Sequence, residues 1–262
     1  MTKLEISEKQ VLITGANRGI GLGLAKELNK NGAIVYLGMR CPQNFKVEEH
    51  GFYDSEKVHC LELDLGSREQ IDVFIEQYGD IKWDVLINNA GQLTGGLLED
   101  QDTDAIYSMF QVNLVGLTHL TQKILPGMIE RGVGKIVNNA SVSGVMHLPC
   151  ASTYAAAKTA VVALTNSLNL ELVGTGVTTL TLLTPGIKTR MFDKISDLYG
   201  KHLDLSMLSA ISAESYAKKV HKAIQKDALF YEPSGRVGMV LWIARHSPYF
   251  FRKIGKIGFK RQ

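Results

Sequence analysis

Apolar residues along this chain fall in short blocks separated by longer amphipathic stretches. Gln10–Thr14, Ile34–Met39, Val58–Leu63, Val85–Asn88, Lys135–Asn139 and Val177–Leu183 are dense in Val, Ile and Leu, and each reads as a strand buried on both faces. Leu229–Tyr231 reads as a short seventh. Between the blocks the period changes. Ile20, Leu24, Ala25 and Leu28 recur at helical spacing before Gly32 ends the turn, and Thr103–Ile129 and Thr153–Val173 read as long helices. Buried strands alternating with helices predict an α/β fold: a doubly wound parallel sheet of about seven strands with helices on both faces, in three αβα layers. No repeat, low-complexity tract or linker interrupts the pattern. One domain over residues 1–232 is expected, with a variable stretch at about 190–215 and an extension over 233–262.

Composition supports a folded protein. Of 262 residues, 45% are hydrophobic and 21% charged, ordinary values that exclude intrinsic disorder. The net charge of +3 hides a division. After Glu232 there is no acidic residue, while Arg236, Arg245, Arg252, Lys253, Lys256, Lys260 and Arg261 fall within 233–262, so the body carries −4 and the extension +7. The extension mixes those cations with Trp242, Tyr249, Phe250, Phe251, Ile254, Ile257 and Phe259. Two readings stay open for it: an interfacial segment in peripheral contact with an anionic membrane, or a helix packed on the domain or a second subunit. Nothing in it matches a nucleic-acid motif. Cys41, Cys60 and Cys150 are odd in number and have neither disulfide-framework nor metal-knuckle spacing, which fits a reducing cytoplasm and no metal. Met1-Thr2-Lys3-Leu4-Glu5 opens without the apolar run of a signal peptide, and Val237–Ala244 is far shorter than the ~20 residues needed to span a bilayer.

The first predicted strand runs straight into Thr14-Gly15-Ala16-Asn17-Arg18-Gly19-Ile20-Gly21. Three glycines at a strand-to-helix turn let the backbone approach a pyrophosphate, and the helix that follows offers free N–H groups and the positive end of its dipole. The turn therefore predicts a dinucleotide cradle. In such sites a carboxylate at the end of the second strand takes the adenosine ribose 2′-hydroxyl, whereas an Arg suits a 2′-phosphate. Here that strand ends Leu37-Gly38-Met39-Arg40, and Arg18 lies within the turn itself. Two cations and no acid point to NADP(H) over NAD(H).

Further along stand Asn88-Asn89-Ala90-Gly91, then Asn113 within the long helix, Ser141 after the fifth strand, Tyr154 with Lys158 four residues on, and Pro185-Gly186 after the sixth. Taken together and in order, these motifs resemble the short-chain dehydrogenase/reductase family over Val11 to about Thr189. The resemblance implies a single-domain Rossmann-type fold, carbonyl–alcohol interconversion by hydride transfer, and a dimer or tetramer formed through the helices after Asn113 and Tyr154. Tyr154 and Lys158 share one helix face, so the ammonium is expected to lower the phenol pKa and let Tyr154 act as general acid or base. Ser141 is expected to hold the substrate oxygen. The resemblance further implies that Lys158 binds the nicotinamide ribose, as Tyr154 lies beside it, and that Asn113 supports a proton relay. It assigns cofactor contacts to Gly15, Asn17, Arg18, Gly19, Ile20, Gly21, Arg40, Asp64 with Leu65, Asn89, Ala90, Gly91, Pro185, Gly186, Ile187 and Thr189. The family usually has Pro-Gly-x-x-x-Thr, whereas Pro185-Gly186-Ile187-Lys188-Thr189 is one residue shorter.

On the substrate side, Leu93 and Thr94, the segment Val142–Pro149 with Ser143 and His147, and the variable stretch with Met191, Phe192, Ile195, Leu198, Tyr199, Leu203, Leu205, Met207 and Leu208 are expected to wall the pocket. They are mostly apolar and lack an Arg cluster, which favours a lipophilic carbonyl or alcohol, steroid-like or acyl. The rival reading is a non-catalytic protein that senses the dinucleotide or acts as a scaffold.

Overall fold

In the computed structural model, which describes residues 4–206 and 208–261, seven strands form one sheet in the order β3-β2-β1-β4-β5-β6-β7. They are β1 Gln10–Thr14, β2 Ile34–Met39, β3 Val58–Glu62, β4 Val85–Asn88, β5 Gly134–Asn139, β6 Val177–Leu182 and β7 Phe230–Tyr231. Every neighbouring pair is parallel. Met207 of the variable stretch, the opening residues Met1, Thr2 and Lys3, and the side chain of Ile254 lie outside what is described. The helices are α1 Gly19–Lys30, α2 Arg68–Tyr78, α3 Thr103–Phe110, α4 Leu117–Arg131, α5 Ser152–Glu171, α6 Arg190–Tyr199, α7 Ala213–Gln225, α8 Gly235–His246 and α9 Pro248–Ile254.

Alternation along the strands sends successive side chains into two separate cores. Val11 and Ile13 of β1, with Val85 and Ile87 of β4, meet Leu24 and Leu28 of α1 and Tyr216, Val220 and Ile224 of α7. Leu12, Leu86 and Ile136 point the other way, onto Phe74 of α2 and Leu120, Ile124 and Met128 of α4. Both faces are thus sealed, which is why the strands read as continuous apolar runs rather than as alternating ones. Winding reverses between β1 and β4, and the crevice outside the carboxyl ends of these strands is where ligands bind in such sheets.

The long helix expected over Thr103–Ile129 is broken. Between α3 and α4 the six residues Gln111–Gly116 form a π-helical segment, with Asn113 completely buried in it. Gly116 lets that segment press on β3's trailing loop: a Cβ there would collide with the Leu65 carbonyl oxygen.

The basic extension joins the body. Leu241 of α8 packs with Leu117, Ala140, Val161 and Leu183 over the ends of β5 and β6, and Ala244 and Phe251 are also buried. Met239, Trp242, Tyr249 and Phe250 on the same two helices are exposed, beside exposed Arg236, Arg252 and Lys253. Among the described residues no helix is long and apolar enough to cross a membrane. If α8 is docked in this way, Leu241→Ala costs about 2–4 kcal/mol of unfolding free energy in urea titrations, and Trp242→Ala about 0.5 kcal/mol or less. Equal losses would contradict the packing.

Candidate active site

The turn after β1 is built by close approach. Gly15 and Gly19 have φ of 64° and 56°, in the left-handed region that Gly occupies without strain. A Cβ on Gly15 would lie 2.8 Å from the Ala90 Cα, and one on Gly21 2.6 Å from the Asn89 Nδ2, so the turn packs directly on the segment after β4. Arg18 caps α1 in extended conformation without a side-chain cap bond, and the first turn holds no acid. The opening N–H groups of α1 therefore keep their donors and positive dipole end for an anion, which fits a pyrophosphate. Asn17 and Arg18 are exposed and Ile20 is half-buried. Arg40 is exposed just past β2. Asp64 accepts the Gly66 N–H (2.8 Å), shaping the turn after β3, and the carbonyl of buried Leu65 accepts from Gln111 Nε2 (3.3 Å).

The end of β5 and the first turns of α5 bring Ser141, Tyr154 and Lys158 together. Ser141 follows β5 and caps a short 3₁₀ turn, its Oγ accepting the Ser143 N–H at 3.1 Å. Tyr154, in the first turn of α5, has the Ser141 side chain as its polar neighbour. One turn later Lys158, 4% exposed, donates to the Asn139 carbonyl (2.7 Å) and lies 5.8 Å from the Tyr154 ring centre. Burial pushes the Tyr154 phenol up to about 12, with the neighbouring Ser141 side chain acting in the opposite direction. Burial also brings Lys158 down to about 8. The expected lowering of Tyr154 by its lysine does not show: the phenol is raised, and desolvation is the largest cause acting on each group.

Asn113 makes two hydrogen bonds to one residue: its Oδ1 accepts the Gln92 N–H (2.7 Å) and its Nδ2 donates to the Gln92 carbonyl (2.9 Å). The π-helical segment thereby fixes the loop after Gly91, where a Cβ would lie only 3.3 Å from the Asn113 Oδ1. Asn89 Nδ2 donates to the Thr14 carbonyl (2.9 Å), and Thr14 Oγ1 accepts the backbone N–H groups of Asn89 and Ala90. Asn139 Nδ2 donates to Asn89 Oδ1 (3.0 Å), while Thr184 donates to Asn139 Oδ1. Sequence reasoning missed Thr14, Gln92, Asn139 and Thr184 as parts of the site. A signal was present: each is a polar residue at or just past the carboxyl end of a buried apolar strand.

The segment after β6 is held by a second strand-like contact. Ile187 bridges Ile211, and the Gly186 carbonyl accepts the Ile211 N–H at 3.0 Å. A side chain at Gly186 would strike the Ser209 carbonyl and come 2.8 Å from Phe192. Pro185 and Gly186 are half-buried there. Even in the shortened segment, Thr189 caps α6 by accepting the Phe192 N–H (3.3 Å), and its methyl lies 3.2 Å from where a Gly19 Cβ would be. The lid therefore begins against the phosphate turn.

On the far side, Leu93 joins Cys150, Ala151 and Tyr199 in an apolar cluster with Leu97, Ile195, Leu198, Leu203, Leu205 and Phe259. Tyr199 ends α6, is buried, and sits so close that any side chain at Gly95 would collide with its ring. His147 is exposed and turned to Thr159 Oγ1 (3.3 Å) rather than into this cluster. Ser143 is half-buried, and Met191 is exposed in the first turn of α6.

The arrangement can move a proton to or from an oxygen held at Ser141 and Tyr154, beside a cradle suited to a dinucleotide. Comparison with known proteins agrees. A sequence model described as short chain dehydrogenase matches residues 9–199. The chain is 34% identical over 228 residues to an uncharacterized oxidoreductase of Staphylococcus saprophyticus, covering 84% of this chain and 92% of the relative. It is also 34% identical over 194 residues to the 3-oxoacyl-(acyl-carrier-protein) reductase of Haemophilus influenzae, covering 72% and 78%. Among solved structures, a single-substitution variant of actinorhodin polyketide ketoreductase with NADPH superposes with a TM-score of 0.75 at 27% identity, covering 91% of this chain and 99% of that one. The order of the sheet, the Tyr154–Lys158 pair beneath its carboxyl edge and these matches have one explanation: the chain belongs to the short-chain dehydrogenase family of oxidoreductases.

Proposed function

We propose that the protein is an NADP(H)-dependent enzyme that interconverts a carbonyl and a secondary alcohol on a lipophilic substrate, as a homo-oligomer. The observation that carries this reading is a buried Lys158 held by the Asn139 carbonyl 5.8 Å from the Tyr154 ring centre, with Ser141 as that tyrosine's polar neighbour, next to an apolar cluster. Exposed Arg18 and Arg40 flank the phosphate turn and no carboxylate closes β2, which favours a 2′-phosphate. The solved polyketide ketoreductase, described with NADPH, supports the same choice. For the oligomer, Val115 and Ile129 beside and on α4, and Leu170 and Val173 at the end of α5, leave apolar surface exposed. A sensor without turnover would have no use for a buried lysine one helical turn from a tyrosine beside a serine.

When bound, the nicotinamide supplies or accepts the hydride. The chain's own residues handle the oxygen. Tyr154, held protonated by burial, donates its proton to a carbonyl oxygen during reduction, and Ser141 donates a hydrogen bond to the same atom as negative charge grows. In the oxidative direction Tyr154 receives the alcohol proton. Lys158 places a partial positive charge under both, and the Asn139 carbonyl fixes where that charge sits. Turn residues Gly15, Gly19 and Gly21 and the opening N–H groups of α1 hold the pyrophosphate, with Asn89, Ala90, Ile187 and Thr189 lining the way to the reacting end.

Tyr154→Phe should lower kcat/KM for a hydrophobic ketone at least about 100-fold, with NADPH binding by fluorescence titration unchanged. Normal turnover by that variant, or preference of the wild type for NADH, contradicts the reading.

Lys158 adds a pH signature. Its pKa falls from the usual 10.5 to about 8 on folding, so the unfolded chain binds more protons between these values, and stability must rise with pH through that window. Wild type minus Lys158→Met unfolding free energy is therefore expected to increase by about 2 kcal/mol between about pH 7.5 and 9.5. Parallel pH profiles would show that Lys158 ionises as it does in water.

A further inference from the structure

The last residues of the chain return to the substrate side of the cleft. After α9 the backbone runs alongside the loop that follows α6: Leu203 forms an antiparallel bridge with Phe259, Asp204 N–H donates to the Gly258 carbonyl (3.1 Å), and Lys260 N–H donates to the His202 carbonyl (2.8 Å). His202 Nδ1 lies 3.1 Å from the Lys260 carbonyl oxygen. Beyond the bridge, Arg261 pairs with Glu99 in the loop after β4. Before it, the Gly255 position faces Leu148 and the His147 carbonyl. One short segment thus touches three walls of the expected pocket: the lid, the loop after β4 and the loop after β5.

Phe259 is the apolar centre of this contact. It is half-buried and packs on the cluster of Cys150, Ala151 and Tyr199 to which Leu93 and Leu203 also belong. That cluster adjoins the segment that carries Tyr154, through Thr94 and Thr153. Thr94, whose carbonyl accepts from the Tyr199 hydroxyl (3.4 Å), shares a hydrogen bond with Thr153, the neighbour of Tyr154 (2.7 Å). Backbone pairing places this ring on the apolar cluster. Backbone pairing in both directions, an ion pair and a half-buried ring are more than a terminal segment needs to avoid fraying.

We propose that residues 255–261 form a latch that holds α6 and its following loop closed, and that Phe259 is a specificity-determining wall of the substrate pocket. The substrate part of this statement rests on the oxidoreductase reading above; the latch itself does not. Gly258 is the hinge-setting residue: at φ 80° it turns Phe259 inward, and a Cβ there would come 3.0 Å from the Asp204 Cβ.

Cys150, 5% exposed beneath the latch, supplies a readout independent of turnover. In the full chain carrying Cys41→Ser and Cys60→Ser, Cys150 is the single thiol. Adding Phe259→Ala or Gly258→Ala should speed its labelling by a maleimide about tenfold, while Phe259→Leu stays within about twofold. Unchanged labelling in both opening variants overturns the latch. In steady-state assays of a ketone series with NADPH, Phe259→Ala should raise KM for the preferred lipophilic ketone about tenfold with kcat within about twofold, and admit bulkier ketones. An unchanged KM and size profile overturns the assignment of Phe259 as a pocket wall. If the wild type reduces no carbonyl, the oxidoreductase reading fails, and the labelling rates alone decide the latch.

Discussion

The contacts that join four strand ends at the carboxyl edge of the sheet meet at one residue, Asn139. It ends β5, is 6% exposed, and is bonded in three directions. Its Nδ2 donates to Asn89, which in turn grips the Thr14 and Gly15 carbonyls of the phosphate turn. Its Oδ1 accepts from Thr184 after β6, whose hydroxyl also meets the hydroxyl of Tyr216 on α7. Its backbone carbonyl accepts from Lys158. The ends of β1, β4, β5 and β6 and the buried lysine are thereby tied through one residue. A buried amide of this kind must satisfy all its bonds or cost about 1–3 kcal/mol for each that is lost, so the arrangement is specific as well as stable.

That constraint divides the crevice. On the cofactor side the backbone dominates: left-handed glycines and uncapped helix donors suit an anion, with cations only at the rim. On the far side an apolar cluster gathers residues from distant parts of the chain, the loop after β4, α6 with its following loop, and the returning segment with Phe259. Tyr154 stands where the two meet. Burial raises the pKa of its phenol, and the Ser141 side chain acts in the opposite direction.

The sheet was legible because each strand is buried on both faces and so reads as an unbroken apolar run. The strands Gln10–Thr14, Ile34–Met39 and Val85–Asn88 have the bounds the pattern predicts. The break in the long helix was not legible. A π-helical segment adds one residue to a turn without disturbing the apolar spacing enough to be seen, and the contact it carries, Asn113 gripping Gln92 from 21 positions away, is tertiary. Nor could periodicity tell the inner from the outer side of α8, where Leu241 is buried and its neighbour Trp242 exposed within one apolar run. The candidate catalytic set could be named from its motifs, but the direction of the Tyr154 and Lys158 shifts depends on burial, which spacing does not report. The C-terminal cations were conspicuous as charge. What mattered in three dimensions was the aromatic residue among them, Phe259, and the backbone pairing that places it.

Asn139 holds the phosphate turn and the lysine in one frame, and the rest of the site depends on that frame. Asn139→Ala removes its side-chain bonds and leaves the β5 backbone in place. Titration of this variant with NADPH, followed by cofactor fluorescence, tests the dependence most directly. The expected result is a dissociation constant raised about tenfold or more, with the fold intact by circular dichroism. Wild-type affinity in a folded Asn139→Ala protein would contradict it.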